Sequence, residues 1–146
     1  MTQIEIIAAG RIKNTPFNDL WAEYYKRCTW PVTLCEVEAR NQADELKKIQ
    51  EKIRTDSYVI ALDERGKSLS SPAFADKIQS LMDQARPCIQ FIIGGADGLN
   101  DEIRKNADYL LSFGVQTWPH MMVRAMLMEQ IYRARQIIAG HPYHRA

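Results

Sequence analysis

Three cysteines in 146 residues, Cys28, Cys35 and Cys88, with no Cys-x-x-Cys pair among them, argue against a disulfide framework and for reduced thiols. Cys35 and Cys88 fall in strand-like runs and read as core filler. Excess charge of either sign is missing as well. Nineteen basic against eighteen acidic residues leave a formal net charge of +1, so a generic, charge-driven nucleic-acid binder is not indicated. No apolar window reaches membrane-spanning length, and the start Thr2-Gln3-Ile4-Glu5 carries neither a basic stretch nor a cleavage signal. A cytoplasmic protein with no membrane contact is the expectation.

The chain also lacks a repeat, a low-complexity tract and a linker. It reads as one domain over residues 1–146, long enough to bury about two thirds of its unfolded surface without a metal or disulfide staple. What it does have is alternation of apolar runs with helix-period segments. Strands are expected at Ile4–Ala9, Val32–Val37, Tyr58–Leu62, Cys88–Ile93 and Tyr109–Phe113. The third is expected to be central. Helices are expected at Pro16–Lys26, with Phe17, Leu20 and Tyr24 inward and Trp21 as a further candidate for that face, at Gln42–Arg54, from Ser70 or Ser71 with Pro72 near its start, at Asn100–Ala107 and at Pro119–Ala139. The charged stretch from Glu36 to Lys52 is read as including a mobile loop. This order implies an α/β domain, a mostly parallel sheet with helices on both faces.

The last helix carries Val123, Leu127, Ile131, Ala134 and Ile138 on one face and Met122, Met126 and Ile137 on roughly the opposite one. A helix apolar on two faces has to be buried on both. One face can cover the sheet; self-association is the simplest way to cover the other. Glu129 and Arg133, four apart, are spaced as an ion pair.

Phe91-Ile92-Ile93 runs into Gly94-Gly95-Ala96-Asp97-Gly98-Leu99, and glycines where a strand gives way to a helix mark a close approach of backbone to a neighbour or ligand. This is not the Gly-x-Gly-x-x-Gly pattern, and no Lys-Ser or Lys-Thr follows, which disfavours a dinucleotide or triphosphate. Two further segments leave strand ends in the same way, Leu62-Asp63-Glu64-Arg65-Gly66-Lys67 and Ser112–Pro119. Three such loops can converge on one crevice. No third ligand stands near His141 and His144, so no metal is expected.

Taken in order, Leu-Asp-x-x-Gly-Lys, Ile-Gly-Gly-x-x-Gly-Leu, Thr-x-Pro-His-x-x-x-Arg, Glu-Gln-x-Tyr-Arg-Ala and the ending Tyr-His-Arg resemble the RlmH family of SPOUT-superfamily methyltransferases, over nearly the whole chain. The resemblance implies a SPOUT-type fold with a C-terminal deep trefoil knot, and homodimers. It also implies methyl transfer from S-adenosylmethionine to N3 of a pseudouridine in 23S ribosomal RNA of the assembled ribosome. By position, Leu62 and Gly95 match the family's cofactor-contacting residues, and Gly114, Val115, Gln116, Thr117, Trp118 and Pro119 match its third cofactor loop.

N3 of a pseudouridine is a poor nucleophile until its proton leaves, so a base and close orientation are both needed. Among the motif residues His144 is the leading candidate for moving that proton, and Tyr143 for stacking on the target base. Arg124, Arg133 and Arg145, with His120, are candidates for holding phosphates or base carbonyls. Tyr143 has a plainer reading, as a lock of the tail onto the domain. A second class stays open: a catalytically silent ribosome- or RNA-binding module that keeps the pocket.

Overall fold

The computed structural model describes residues 2–145. Ten elements follow one another as β1 (Gln3–Ala9), α1 (Pro16–Arg27), β2 (Val32–Val37), α2 (Gln42–Lys52), β3 (Ser57–Lys67), α3 (Ser71–Asp83), β4 (Cys88–Ile93), α4 (Asp101–Asn106), β5 (Tyr109–Leu111) and α5 (His120–Ile138). The helices start where short polar side chains can take an orphan amide: Thr15, Asn41, Ser70 and Asn100 accept from the backbone N–H of Asn18, Asp44, Ala73 and Ile103. The exception is α5, which follows Pro119 and has no side-chain cap.

All strand pairings are parallel, in the order β2-β1-β4-β3-β5. Strand periodicity then splits the core. Ile4, Ile6 and Ala8 of β1, Ile60 of β3 and Ile89, Phe91 and Ile93 of β4 face α1, α3 and α5, while Ile7, Ala9, Val59, Ala61 and Ile92 face α2 and α4. On the first side α5 packs against both α1 and α3. Among the described residues no helix is long and apolar enough to cross a membrane.

The centre of the sheet is β4, not β3 as its sequence suggests. Every residue of β4 is buried, including Gln90, whose amide donates to Glu5 Oε1 at 2.6 Å and the Lys52 carbonyl at 2.9 Å. Its carbonyl oxygen accepts from the Arg54 amide at 2.8 Å and Ser57 Oγ at 2.5 Å. A polar group this deep is tolerable because its donors and acceptors are used. Strand β3 lies one place out and runs on to Lys67.

Other expectations shift in similar ways. The stretch from Glu36 to Lys52 holds the end of β2 and all of α2, anchored by buried Leu46 and Ile49, with only a short connection between. On α1 the inward stripe centres on Trp21, which is buried. Leu20, about 100° around the helix from it, is 48% exposed. On α5 the buried face comprises Leu127, Met128, Ile131 and Ala134 together with Arg124 and Tyr132, and Met122 and Met126 are half-buried. Leu20, Met122 and Met126 line an apolar groove of about 600 Å³ that also takes in Leu69 and Phe113.

Candidate active site

The strand order sets β4, β3 and β5 side by side, so the segments leaving their C-terminal ends meet, as ligand-binding loops do in open α/β sheets. They enclose a cleft of about 660 Å³. Leu62, Ile93, Leu111 and Val123 give it an apolar floor; Gly94, Gly95 and Gly98 form a wall of backbone; Asp63, Glu64, Asp97, Arg65, Arg104 and His120 stand around it.

The glycines are there for space and for conformation. A Cβ on Gly94 would lie 3.0 Å from Gly98 C and from Leu99 Cδ2, and one on Gly95 2.7 Å from Glu45 Oε1. Gly98 holds φ at +75° and donates its amide to the Gly95 carbonyl at 3.0 Å, closing the turn. Side chains then fix the loops to one another. Arg104 Nε donates to Asp63 Oδ2 at 2.6 Å, its other nitrogens reach Asp101 and the Leu99 carbonyl, and Gln42 Nε2 donates to the Asp97 carbonyl at 3.1 Å. On the third loop, Thr117 Oγ1 donates to Glu64 Oε2 at 3.2 Å and Trp118 Nε1 to the Phe113 carbonyl at 3.1 Å.

Of the residues assigned to the cofactor from sequence, Leu62, Gly95, Gly114, Gln116, Thr117, Trp118 and Pro119 all line this cleft. Val115 does not; it is 90% exposed. Sequence reasoning missed Arg104 and Glu45. On α4, Asp101 and Arg104 look like an ordinary surface pair, and nothing local to α2 announces that Glu45 lies against a loop fifty residues on.

His120 stands in the cleft lining at the uncapped start of α5. Burial, with the charge of Arg124 one turn on, pushes its imidazole below the ordinary histidine range, while Glu45 pulls the other way. Arg124 itself does not face a substrate. Its side chain is wholly buried, with Nη1 donating to Glu36 Oε2 at 2.6 Å and Nη2 to the carbonyls of Ala9 and Gly10 at 3.0 and 2.7 Å. It pins α5 to the ends of β1 and β2, which makes it a positioning residue and removes it from the candidates for RNA contact.

The tail forms a separate cluster. Tyr143 meets Tyr132 edge-on with ring centres 4.8 Å apart, and the Arg133 guanidinium lies 4.7 Å over the Tyr143 ring. Burial pushes the Tyr143 phenol up to about 12. Arg133 Nε donates to Glu129 at 2.6 Å and Nη1 to His144 Nδ1 at 3.0 Å. A guanidinium only donates, so Nδ1 is the acceptor and the ring proton sits on Nε2. His144 therefore presents an N–H outward, and Arg133 is spent on organising the tail; Arg145 remains exposed. Arg133 is thirteen residues along α5 from His120, about 20 Å of helix. Within one chain the tail and the cleft lie towards opposite ends of α5.

Comparison with known proteins agrees with this geometry. A family model described as "Predicted SPOUT methyltransferase" matches residues 2–144. A protein of Rhodospirillum centenum named ribosomal RNA large subunit methyltransferase H is 51% identical over 148 residues, 97% of each chain. One of the same name from Zymomonas mobilis is 45% identical over 143 residues, 98% of each. A solved structure of a probable methylase family protein from Haemophilus influenzae Rd KW20 superposes with a TM-score of 0.62 at 14% identity, covering 99% of this chain and 70% of that one, a likeness of fold. The family model and these relatives each match nearly the whole chain: the chain belongs to the SPOUT methyltransferases, in the ribosomal RNA large subunit methyltransferase H family.

Proposed function

We propose that this protein is a cytoplasmic, homodimeric methyltransferase that uses S-adenosylmethionine to methylate N3 of a pseudouridine in 23S ribosomal RNA of the assembled ribosome. The observation that carries the reading is the cleft where three loops meet. Its walls are mostly backbone, its floor is apolar, and carboxylates of Asp63, Glu64 and Asp97 stand around it. Asp63 is already paired with Arg104, so Glu64 and Asp97 are the carboxylates that suit a cationic sulfonium and ammonium, while the backbone and apolar surfaces suit an uncharged nucleoside.

Leu62, Gly95, Gly114 and the run from Gln116 to Pro119 would hold that cofactor, mainly through main-chain groups. When bound, S-adenosylmethionine supplies an electrophilic methyl group. The chain's contribution is to bind, to align the attacking nitrogen and to exclude water. Arg104 and Asp63 keep two of the loops at a fixed separation, and Arg124 keeps the start of α5 in place.

The RNA side of the site is the tail. Tyr143 offers a ring for stacking, His144 a ring N–H for a base carbonyl, and Arg145 an exposed charge for phosphate; Arg133 orients the first two. Because the tail lies about 20 Å along α5 from the cleft, a second copy has to bring its tail to the first copy's cleft. Leu20, Met122 and Met126 along one groove, with Val115 and Trp118 exposed beside it, support that pairing. Residues 1–146 are read as one catalytic domain whose C-terminal segment threads the trefoil knot of the family. The tight seating of Gly66 on the Leu110 and Leu111 backbone, where the third loop sets out, is consistent with such threading.

Mass-spectrometric mapping of large-subunit RNA from cells lacking the protein, before and after treatment with protein and S-adenosylmethionine, tests the reading. One new methyl on a pseudouridine supports it. Calorimetry with no saturable cofactor binding, and no new methyl, would leave the silent RNA-binding module in its place.

A further inference from the structure

We infer that His120 is the base that accepts the N3 proton during methyl transfer, and that Glu45 steadies the imidazolium that results. This rests on reading the chain as a pseudouridine N3 methyltransferase. His120 and His144 are both candidates by residue type, and the structure separates them by what each ring nitrogen can do.

His144 has its Nδ1 lone pair occupied by Arg133 and its remaining nitrogen protonated. It can donate to the substrate, but it accepts a proton only by breaking that contact. His120 is placed differently. It stands in the lining of the cleft beside Pro119 and Val123, half-buried, at the first position of α5. A Cβ on Gly10 would lie 3.6 Å from its Nε2, so the ring rests against a bare stretch of backbone at the end of β1. Within one chain His120 alone of the two lines the compartment where the methyl would be delivered.

The charges facing His120 come from two elements. Arg124 lies one turn along its own helix, already paired with Glu36 from β2. Glu45 reaches in from α2, with both carboxylate oxygens against Gly95. Burial and Arg124 hold the free ring neutral, the state a base needs before the reaction, and Glu45 offsets the charge afterwards. In the step itself the N3–H bond breaks to a ring nitrogen of His120, and its electron pair stays on N3 and forms the N–CH3 bond. The pair of the broken C–S bond remains on sulfur as a neutral thioether. The imidazolium then returns its proton to solvent.

Single-turnover methylation of ribosomes lacking the modification, followed from acid to alkaline pH, tests this. The wild-type rate should fall on the acid side with one ionisation. His120→Gln should be slower by about 100-fold or more at neutral pH, should lose that acid limb, and should recover as rising pH removes the N3 proton unaided. His120→Ala should regain rate when imidazole is added. Cofactor affinity measured by calorimetry should stay within about twofold in both variants. His144→Ala should keep the acid limb. Independently of turnover, NMR titration of the His120 ring in the free protein should show its midpoint moving down in Glu45→Gln.

An active wild type beside a His120→Gln that matches it, keeps the acid limb or is slowed equally at every pH would overturn the inference alone. A wild type that neither binds cofactor nor methylates would overturn the functional reading and this inference with it.

Discussion

The two ends of α5 are built from different materials. At its start the cleft is walled by the backbone of Gly94, Gly95 and Gly98, the helix has no side-chain cap, and Val115 and Trp118 stand partly or wholly in solvent. At its far end Glu129, Tyr132, Arg133, Tyr143 and His144 interlock side chain to side chain. A wall of main chain tolerates changes of residue so long as its path is kept, whereas a stack of side chains depends on each member. One end suits a cofactor, the other a base and phosphate that have to be distinguished.

Arg124 belongs to neither material, and removing it should do the most damage. Arg124→Leu takes the guanidinium from the Ala9 and Gly10 carbonyls and from Glu36, which keeps the Ile12 amide, and a loss of about 3 to 5 kcal/mol in denaturant unfolding is expected. The same pair sets an acid limit. Burial alone would raise Glu36, but the hydrogen bonds from Arg124 and the Ile12 amide bring it below its ordinary value. Stability from this depressed carboxylate is fully present above the unfolded glutamate pKa of about 4.3 and drains away as pH falls through the folded one. Urea midpoints between neutral and mildly acid pH should show that loss in the wild type and a smaller one in Glu36→Gln.

Breaking the pairing of copies comes next. Leu20→Lys with Met126→Lys should leave the circular dichroism of the fold in place, give a monomer in sedimentation, and reduce methylation by about 100-fold, the order of loss expected when a catalytic constellation is taken apart. A fully active monomer would remove the argument that cleft and tail come from different chains. A smaller effect is expected from Tyr143→Ala. Loss of its stacking should cost about 0.5 to 1.5 kcal/mol in thermal unfolding and weaken binding of an RNA stem-loop, while cofactor affinity at the other end of α5 stays unchanged. Smallest of all should be Val115→Ser. A residue this exposed, outside the cleft lining, should change stability by less than about 0.5 kcal/mol and leave cofactor affinity untouched by calorimetry.

Most of the elements were legible because each carries its own period. The apolar run Cys88-Ile89-Gln90-Phe91-Ile92-Ile93 and the capped starts at Ser70 and Asn100 need no distant partner to be recognised. Strand order is different in kind. Nothing in Tyr58–Leu62 says that it lies outside β4, which even carries a polar residue, Gln90, that the first lacks; the choice is made by the crossovers. Burial of Gln90 could not be foreseen either, because its partners come from β1, β3 and the end of α2.

The site shows the same division. The glycine turn and the three loop exits are local signals, and the motif resemblance placed seven of the eight proposed cofactor residues on what proved to be the cleft lining. What Arg124 does was hidden, since a positive residue in a helix gives no sign that Glu36, eighty-eight positions earlier, is waiting for it. The engagement of His144 by Arg133 depends on the tail folding back, which spacing alone does not reveal.

Strand β3 and the edge strand β5 meet out of step. Leu111 pairs with Leu62 and again with Lys67, so the residues between are pushed out as a buckle of fixed length whose two feet stand on the same rung. Gly66 sits so close to the Leu110 and Leu111 backbone that no side chain fits there. That rim cannot lift without undoing the edge of the sheet, and Arg104 together with Gln42 restrains the glycine rim beside it. The exposed stretch from Val115 to Trp118 has no such brace from the sheet; its ties are the side-chain contacts of Thr117 with Glu64 and of Trp118 with the Phe113 carbonyl, so it is the most lightly moored side of the chamber.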